Sequence, residues 1–152
     1  MNKKDVVAVV LGGPSSEAEV SRRTGAAIAE ALREKGYNAV EVELVPEKLV
    51  EQLKEIDAKV VFNAVHGMYG EDGRLQSMLE AIKMPYTGSG VLASAVAMDK
   101  IATKRFLISA NISTPKSLMY NKRFDKDAEL IEKGIIATFG VPVVIKAADQ
   151  GS

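Results

Sequence analysis

Residues 6–21 decide the fold; they read Val6-Val7-Ala8-Val9-Val10-Leu11-Gly12-Gly13-Pro14-Ser15-Ser16-Glu17-Ala18-Glu19-Val20-Ser21. The stretch opens with a continuous apolar run closed by glycines, the pattern of a strand buried on both faces of a parallel sheet. Ser16 and Glu19 have the spacing of a capping box, so a helix is predicted to begin directly afterwards. Open α/β sheets bind ligands at the carboxyl ends of their strands. Glu17, in the first helical turn at that edge, is therefore predicted to meet a small substrate.

The residues that follow alternate between helical and strand patterns. Strands are predicted over 38–44 and 59–65, a short strand and turn over 85–90, and helices over 18–35, 46–56 and 74–83, with a buried helix over 91–98. The apolar face of the first helix is expected to hold Val20, Thr24, Ala27, Ile28, Ala31 and Leu32. This order predicts an α/β fold, a doubly wound, Rossmann-like parallel sheet with right-handed crossovers.

A second unit is predicted after a helical connector. The pattern gives a helix over 99–111, a strand over 116–120, a helix over 128–139 and a strand over 141–146. We place the domain boundary between residues 97 and 98, so that the domains cover 1–97 and 98–152. Two strands and one helix cannot bury a core of their own. We therefore expect further sequence to complete the second domain.

Composition excludes several classes of function. Twenty basic residues balance twenty acidic ones, so no net charge favours nucleic acid or an anionic membrane. The sequence has no cysteine, which excludes disulfides, thiolate metal sites and a cysteine nucleophile, and its one histidine cannot build a multi-histidine zinc site. No metal ligands are predicted among these residues. The apolar run near the N-terminus is too short for a secretory signal, and a cytoplasmic protein is expected.

Four ionisable residues are candidates for chemistry. Glu17 is not needed for the cap that Glu19 can provide, and its carboxylate suits an ammonium group, although an acid there also offsets the helix dipole. His66 opens a glycine-rich loop at the same sheet edge, where it is either structural or a substrate contact. Lys146 ends an apolar run before a glycine-serine loop and could neutralise a phosphate. Lys100 lies on a predicted helix, where a lysine is ordinarily a solvated charge.

Several motifs together resemble one family. They are Leu11-Gly12-Gly13-Pro14-Ser15-Ser16-Glu17-Ala18-Glu19-Val20-Ser21, Val65-His66-Gly67 with Gly70-Glu71-Asp72-Gly73, Pro85-Tyr86-Thr87-Gly88-Ser89-Gly90, Met98-Asp99-Lys100, Val144-Ile145-Lys146 and Asp149-Gln150-Gly151-Ser152. In this order, the motifs are similar to those of D-alanine–D-alanine ligases over nearly the whole chain. The resemblance implies the amino-terminal, pre-ATP-grasp α/β domain of such an enzyme, followed by the start of its α+β ATP-grasp domain.

The resemblance also implies a reaction and roles for named residues. ATP would phosphorylate the carboxylate of one D-alanine, and the amine of a second would attack the acyl phosphate to give a dipeptide for peptidoglycan precursors. Glu17, His66 and Ser152 would be catalytic, and Glu17, Val20, Ser21 and His66 would bind the substrate. ATP would be held by Lys100, Lys146, Gly151 and Ser152. The Mg²⁺ or Mn²⁺ ligands are expected downstream of residue 152, so this chain alone is expected to be inactive. A homodimer is implied as well.

Three alternatives stay open or are disfavoured. A ligase that uses D-lactate or D-serine as its second substrate differs mainly in sequence outside this chain. A non-catalytic module that binds an amino acid or a nucleotide would have the same fold. A dinucleotide-dependent oxidoreductase is disfavoured, because residues 12–16 lack the G-x-G-x-x-G fingerprint and the P-loop pattern.

Overall fold

A computed structural model describes residues 2–150 of the chain; Met1, Gly151 and Ser152 lie outside the described residues. These residues form two compact units, one of residues 2–99 together with Gln150 and one of residues 100–149. Among residues 2–150, no helix has the length and apolar character that crossing a membrane requires.

The first unit is built on a parallel sheet of three strands. Its elements are β1 (Val6–Leu11), α1 (Ala18–Glu34), β2 (Asn38–Glu43), α2 (Leu49–Glu55), β3 (Ala58–Asn63), α3 (Arg74–Ala81) and α4 (Val91–Met98). The strand order is β2-β1-β3, with Leu11 opposite Glu43 and Val10 opposite Asn63. Tyr86 adds a single parallel bridge to Val61 where a short strand is predicted. The predicted α/β class and parallel sheet are confirmed.

β1 is the central strand because its side chains are buried on both faces. Ala8 and Val10 face a core that α2 and α3 complete with Leu49, Leu53, Leu75 and Leu79. Val9 faces a second core, in which Ala29 and the half-buried Ile28 and Leu32 of α1 pack. Helices therefore cover both faces of the sheet. This follows from the strand order, because right-handed connections that run in opposite directions along a sheet place their helices on opposite faces.

The apolar face predicted for α1 is partly wrong. Val20, Ala27 and Ala31 are exposed, and the buried residues are Ser21, Gly25 and Ala29. Gly25 accounts for this rotation of the helix, because a Cβ added there would lie 2.6 Å from the Cβ of Leu11. The helix approaches β1 through its glycine rather than through its larger side chains.

The capping box predicted from Ser16 and Glu19 is also wrong. The helix begins after Glu17, and no side chain caps it. The Ser15 hydroxyl instead accepts the backbone N–H of Glu17 at 3.0 Å, which turns the chain one residue before Ser16.

The helix over 91–98 forms as predicted but is not buried. Ser94 is its only buried residue, and Leu92 is 71% exposed. Its apolar composition indicates burial, yet its main contact with another helix or strand is with α3. An apolar helix is buried only where another element packs against it, and its composition does not show whether one does.

The second unit contains α5 (Lys100–Ser109) and α6 (Ala128–Phe139). The strands predicted over 116–120 and 141–146 are wrong, because neither segment pairs with a strand among the described residues. Val144 and Ile145 are 80% and 84% exposed. A strand is stabilised by ladder hydrogen bonds and by a packed face, and these segments have neither within residues 100–149.

Candidate functional site

The candidate site lies where β1 and β3 end. In the strand order β2-β1-β3, the chain passes from β1 to β2 on one side and then to β3 on the other side of β1. The point at which the strand order reverses, here called the crossing point, therefore lies between β1 and β3. Open α/β sheets bind ligands in the crevice at such a point. Two segments meet there: residues 12–17, which follow β1, and residues 64–73, which follow β3.

Glu17 brings a free carboxylate to this edge. Its side chain is half-buried, and within residues 2–150 the carboxylate has neither a hydrogen-bond nor an ion-pair partner. A Cβ added to Gly67 would lie 3.0 Å from Glu17 Oε1, so the carboxylate rests against the loop that follows β3. A half-buried carboxylate that lacks a partner within the protein is suited to a cationic ligand group.

Ser15 joins the two segments. Its hydroxyl donates to the carbonyl of His66 at 2.8 Å and accepts the N–H of Glu17. Nε2 of His66 lies 3.2 Å from the hydroxyl of Thr24 on α1, in a hydrogen bond whose donor depends on the imidazole tautomer. The structure therefore brings the segments that carry Glu17 and His66 together at one sheet edge.

Ser21 lies beneath the site rather than on its surface. The side chain is fully buried; its hydroxyl accepts the N–H of Gly12 at 2.8 Å and donates to the carbonyl of Ala64 at 2.7 Å. The same hydroxyl thus ties the end of β1 to the segment after β3. Val20, one residue earlier, is 45% exposed on α1.

The loop over 64–73 is held from below by side-chain amides. The carbonyl of Gly70 accepts Nδ2 of Asn63 at 2.8 Å and Nε2 of Gln76 at 2.7 Å. A Cβ added to Gly70 would lie 2.0 Å from the carbonyl oxygen of Val65, so only glycine fits. The N–H of Gly67 donates to the carboxylate of Glu71 at 3.1 Å. These bonds fix the loop before any ligand arrives.

Sequence reasoning missed the role of Glu43. Its carboxylate accepts the N–H of Gly13 at 3.3 Å and two N–H groups of Arg22, at 3.0 and 2.7 Å. Hydrogen bonding from Arg22, assisted by Gly13, holds the pKa of the Glu43 carboxyl below its usual range, although partial burial opposes this. In the sequence, Glu43 is only the polar member of an alternating strand, so no local signal could have found it.

The two candidate lysines belong to the second unit. The N–H of Lys100, at the start of α5, donates to the carbonyl of Ala148 at 2.8 Å, so the segment that follows the exposed Lys146 meets the start of this helix. The predicted ATP-binding residues Gly151 and Ser152 lie outside the described residues. Across residues 2–150, no cluster of three His, Asp or Glu side chains could hold a metal ion.

Comparison with known proteins shows what this chain is similar to. Residues 41–89 match the family model described as "D-ala D-ala ligase N-terminus". A relative named D-alanine–D-alanine ligase, from Moorella thermoacetica, is 48% identical over 96% of this chain. Over nearly all of its length, this chain is similar to D-alanine–D-alanine ligases. It spans about half the length of the curated relatives it matches, for example 47% of the ligase from Moorella thermoacetica and 46% of that from Carboxydothermus hydrogenoformans.

Solved ligase structures have the same fold. The D-alanine–D-alanine ligase from Bacillus anthracis matches 97% of this chain with a TM-score of 0.83 at 35% identity, and 47% of that ligase is covered. A second structure of that ligase, complexed with ATP, matches with a TM-score of 0.82 at 34% identity, over 96% of this chain and 48% of that one. The VanG D-Ala:D-Ser ligase from Enterococcus faecalis matches 98% of this chain at 27% identity, with a TM-score of 0.73 and 53% of its own length covered.

Proposed function

We propose that this chain carries the amino-acid site of an ATP-dependent ligase that joins two D-alanine molecules. The observation that carries the proposal is the Glu17 carboxylate, which is half-buried and unpartnered within residues 2–150 at the crossing point of the sheet. The relationship to D-alanine–D-alanine ligases over 96% of the chain gives that carboxylate its proposed ligand. The product would serve peptidoglycan precursor synthesis in the cytoplasm.

Glu17 binds the ammonium group of the first D-alanine in this proposal. The carboxylate neutralises the positive charge, and charge-assisted hydrogen bonds orient the amino acid at the sheet edge. Hydrogen bonds from Ser15, Asn63 and Gln76 fix the loop over 64–73, so His66 lies beside the substrate without a large loop movement. Ser21, which is fully buried, positions this site instead of touching the substrate.

ATP activates the substrate carboxylate, since a carboxylate is a poor electrophile until its oxygen becomes a leaving group. Transfer of the γ-phosphoryl group to that oxygen gives an acyl phosphate and ADP. The amine of the second D-alanine then attacks the acyl carbon and releases phosphate. Lys100 and Lys146 are proposed to hold ATP phosphates electrostatically. The backbone N–H of Lys100 donates to the carbonyl of Ala148, so the segment that follows Lys146 meets the start of α5.

Divalent metal and dimer formation belong to the same proposal but not to the described residues. Mg²⁺ or Mn²⁺ is the expected partner of ATP, yet no three-ligand cluster exists within residues 2–150. Residues 2–150 therefore do not supply three protein ligands for a metal ion. A homodimer is proposed from the resemblance to the ligase family.

The test uses a chimeric protein, here called the completed ligase, and identifies the product that it makes. Residues 1–152 are joined to the carboxyl-terminal half of the Moorella thermoacetica relative, and ATP hydrolysis and products are measured with D-alanine alone or with added D-serine or D-lactate. We expect D-alanyl-D-alanine and one phosphate per dipeptide. A monodisperse, cooperatively unfolding chimera that makes no dipeptide would contradict the proposal. A mixed D-alanyl-D-serine product formed in preference would instead favour the activity in the VanG ligase's name.

A further inference from the structure

The turn between β1 and α1 is held by a carboxylate from a neighbouring strand. Glu43 is the last residue of β2 and lies opposite Leu11, so its side chain reaches the two glycines that follow β1. The Arg22 guanidinium binds it through two N–H groups, Nε to Oε2 at 3.0 Å and Nη2 to Oε1 at 2.7 Å. Paired contacts of this kind fix direction as well as distance.

The glycine turn is shaped to receive this carboxylate. Gly12 has a φ of +71°, and a Cβ added to it would lie 2.2 Å from Oε1 of Glu43. The N–H of Gly13 donates to the same oxygen at 3.3 Å. The carboxylate therefore occupies the space that any larger residue at position 12 would need.

Two connections then hold the start of α1 against the sheet. One is buried, from Gly12 through the Ser21 hydroxyl to Ala64. The other runs on the outside, from Gly13 through Glu43 to Arg22. Glu17 lies in the chain between the turn and these two helical residues, so its backbone is set from both sides.

We infer that Glu43 is a positioning residue, which with Arg22 fixes the turn over 12–17 and so orients the Glu17 carboxylate for the amino-acid substrate. The inference rests on the proposed function for the identity of that substrate. Glu43 itself touches no reacting group in this account. It acts on binding, through the backbone, from outside the crevice.

A second ion pair between the same two elements offers a matched control. Arg33 of α1 pairs with Glu41 of β2 at 3.0 Å, and these side chains are 48% and 40% exposed. The corresponding values for Arg22 and Glu43 are 50% and 42%. Arg33 and Glu41 lie toward the far end of α1 and have no bond to the glycine turn. A general effect of losing a surface ion pair would appear in both.

The first measurement is amide hydrogen exchange on the 152-residue chain. We expect Glu43→Ala to speed exchange at Gly13 and Glu17 by roughly tenfold or more, since local opening governs exchange there. Glu41→Ala should leave both amides unchanged. Glu43→Gln keeps an acceptor for Gly13 and should give an intermediate rate. Exchange no faster in Glu43→Ala than in Glu41→Ala would overturn the inference.

The second measurement uses the completed ligase described above. Glu43→Ala should raise KM for D-alanine by about three- to tenfold, with a smaller change in kcat and none in KM for ATP, because only substrate orientation is weakened. Glu41→Ala should change neither, and an equal rise in both variants would overturn the inference. If Glu17→Gln leaves KM for D-alanine unchanged, the proposed function fails, and the exchange result still decides whether Glu43 fixes the turn.

Discussion

The Glu43 carboxylate accepts hydrogen bonds from Arg22 and Gly13, and they determine the pH range over which it stabilises the fold. Because its pKa is lowered in the folded chain, its contribution is present above the usual glutamate range and is lost as pH falls through the lowered pKa. We expect the wild-type chain to unfold at a higher temperature than Glu43→Gln at pH 7. The difference should shrink below about pH 4.

Thermal unfolding of both proteins between pH 7 and pH 3 checks this sign. Both side chains of the pair are about half exposed, so the difference should also fall when salt is added. A difference between the two proteins that stays constant down to pH 3 would show that the charge of Glu43 contributes nothing.

Some residues of the candidate site could be predicted from their position in the sequence, and others could not. Glu17 and His66 each follow a buried strand, and the edge they share follows from the parallel sheet. Ser15 and Glu43 act through contacts with His66 and Gly13, which are 51 and 30 residues away in the chain. Such partners depend on the strand order β2-β1-β3, which the pattern of apolar residues does not specify.

At the start of α1, the structure replaces the predicted Ser16 cap with hydrogen bonds made by other serines, among them Ser21. Ser21→Ala leaves the Gly12 N–H and the Ala64 carbonyl buried without their partner, which should cost about 1–3 kcal/mol of unfolding free energy. Ser16→Ala, its matched control, removes an exposed hydroxyl that makes no bond within the described residues and should change stability by less than about 0.5 kcal/mol.

Urea unfolding of the two serine variants and the wild type measures both values. If Ser16 capped the helix, Ser16→Ala would instead lower the free energy of unfolding by about 0.5–2 kcal/mol, the usual cost of losing an N-cap. A Ser16→Ala loss equal to that of Ser21→Ala would restore the capping box and contradict the helix start at Ala18.

Whole elements were predictable where the chain itself supplies their partners. The apolar run of β1 forms a strand because β2 and β3 pair with it on both sides. The run over 141–145 is also apolar, but it contains Pro142, which cannot donate a ladder hydrogen bond, and residues 100–149 provide no strand beside it. The apolar helix α4 likewise forms from local preference and yet stays exposed. Pattern predicts the element, and only the fold provides the surface that buries it.

At the level of the whole molecule, we expect this 152-residue chain alone to release no phosphate from ATP in response to D-alanine. Phosphoryl transfer from ATP depends on a bound divalent metal ion, and residues 2–150 contain no cluster of three ligands for one. A phosphate-release assay with Mg²⁺ or Mn²⁺ tests this, and the completed ligase serves as the positive control. Release by the chain alone that depends on D-alanine would contradict the expectation.

The measurement that tests the account most directly is KM for D-alanine in the completed ligase carrying Glu17→Gln. Loss of the charge should raise KM for the first D-alanine by roughly tenfold or more and leave KM for ATP unchanged, because the ammonium loses its anionic partner and faces a neutral amide. Glu19→Gln, an exposed acid of the same helical turn, should leave both constants unchanged. An unchanged KM for D-alanine in Glu17→Gln, or an equal rise in Glu19→Gln, would contradict the claim that Glu17 receives the substrate.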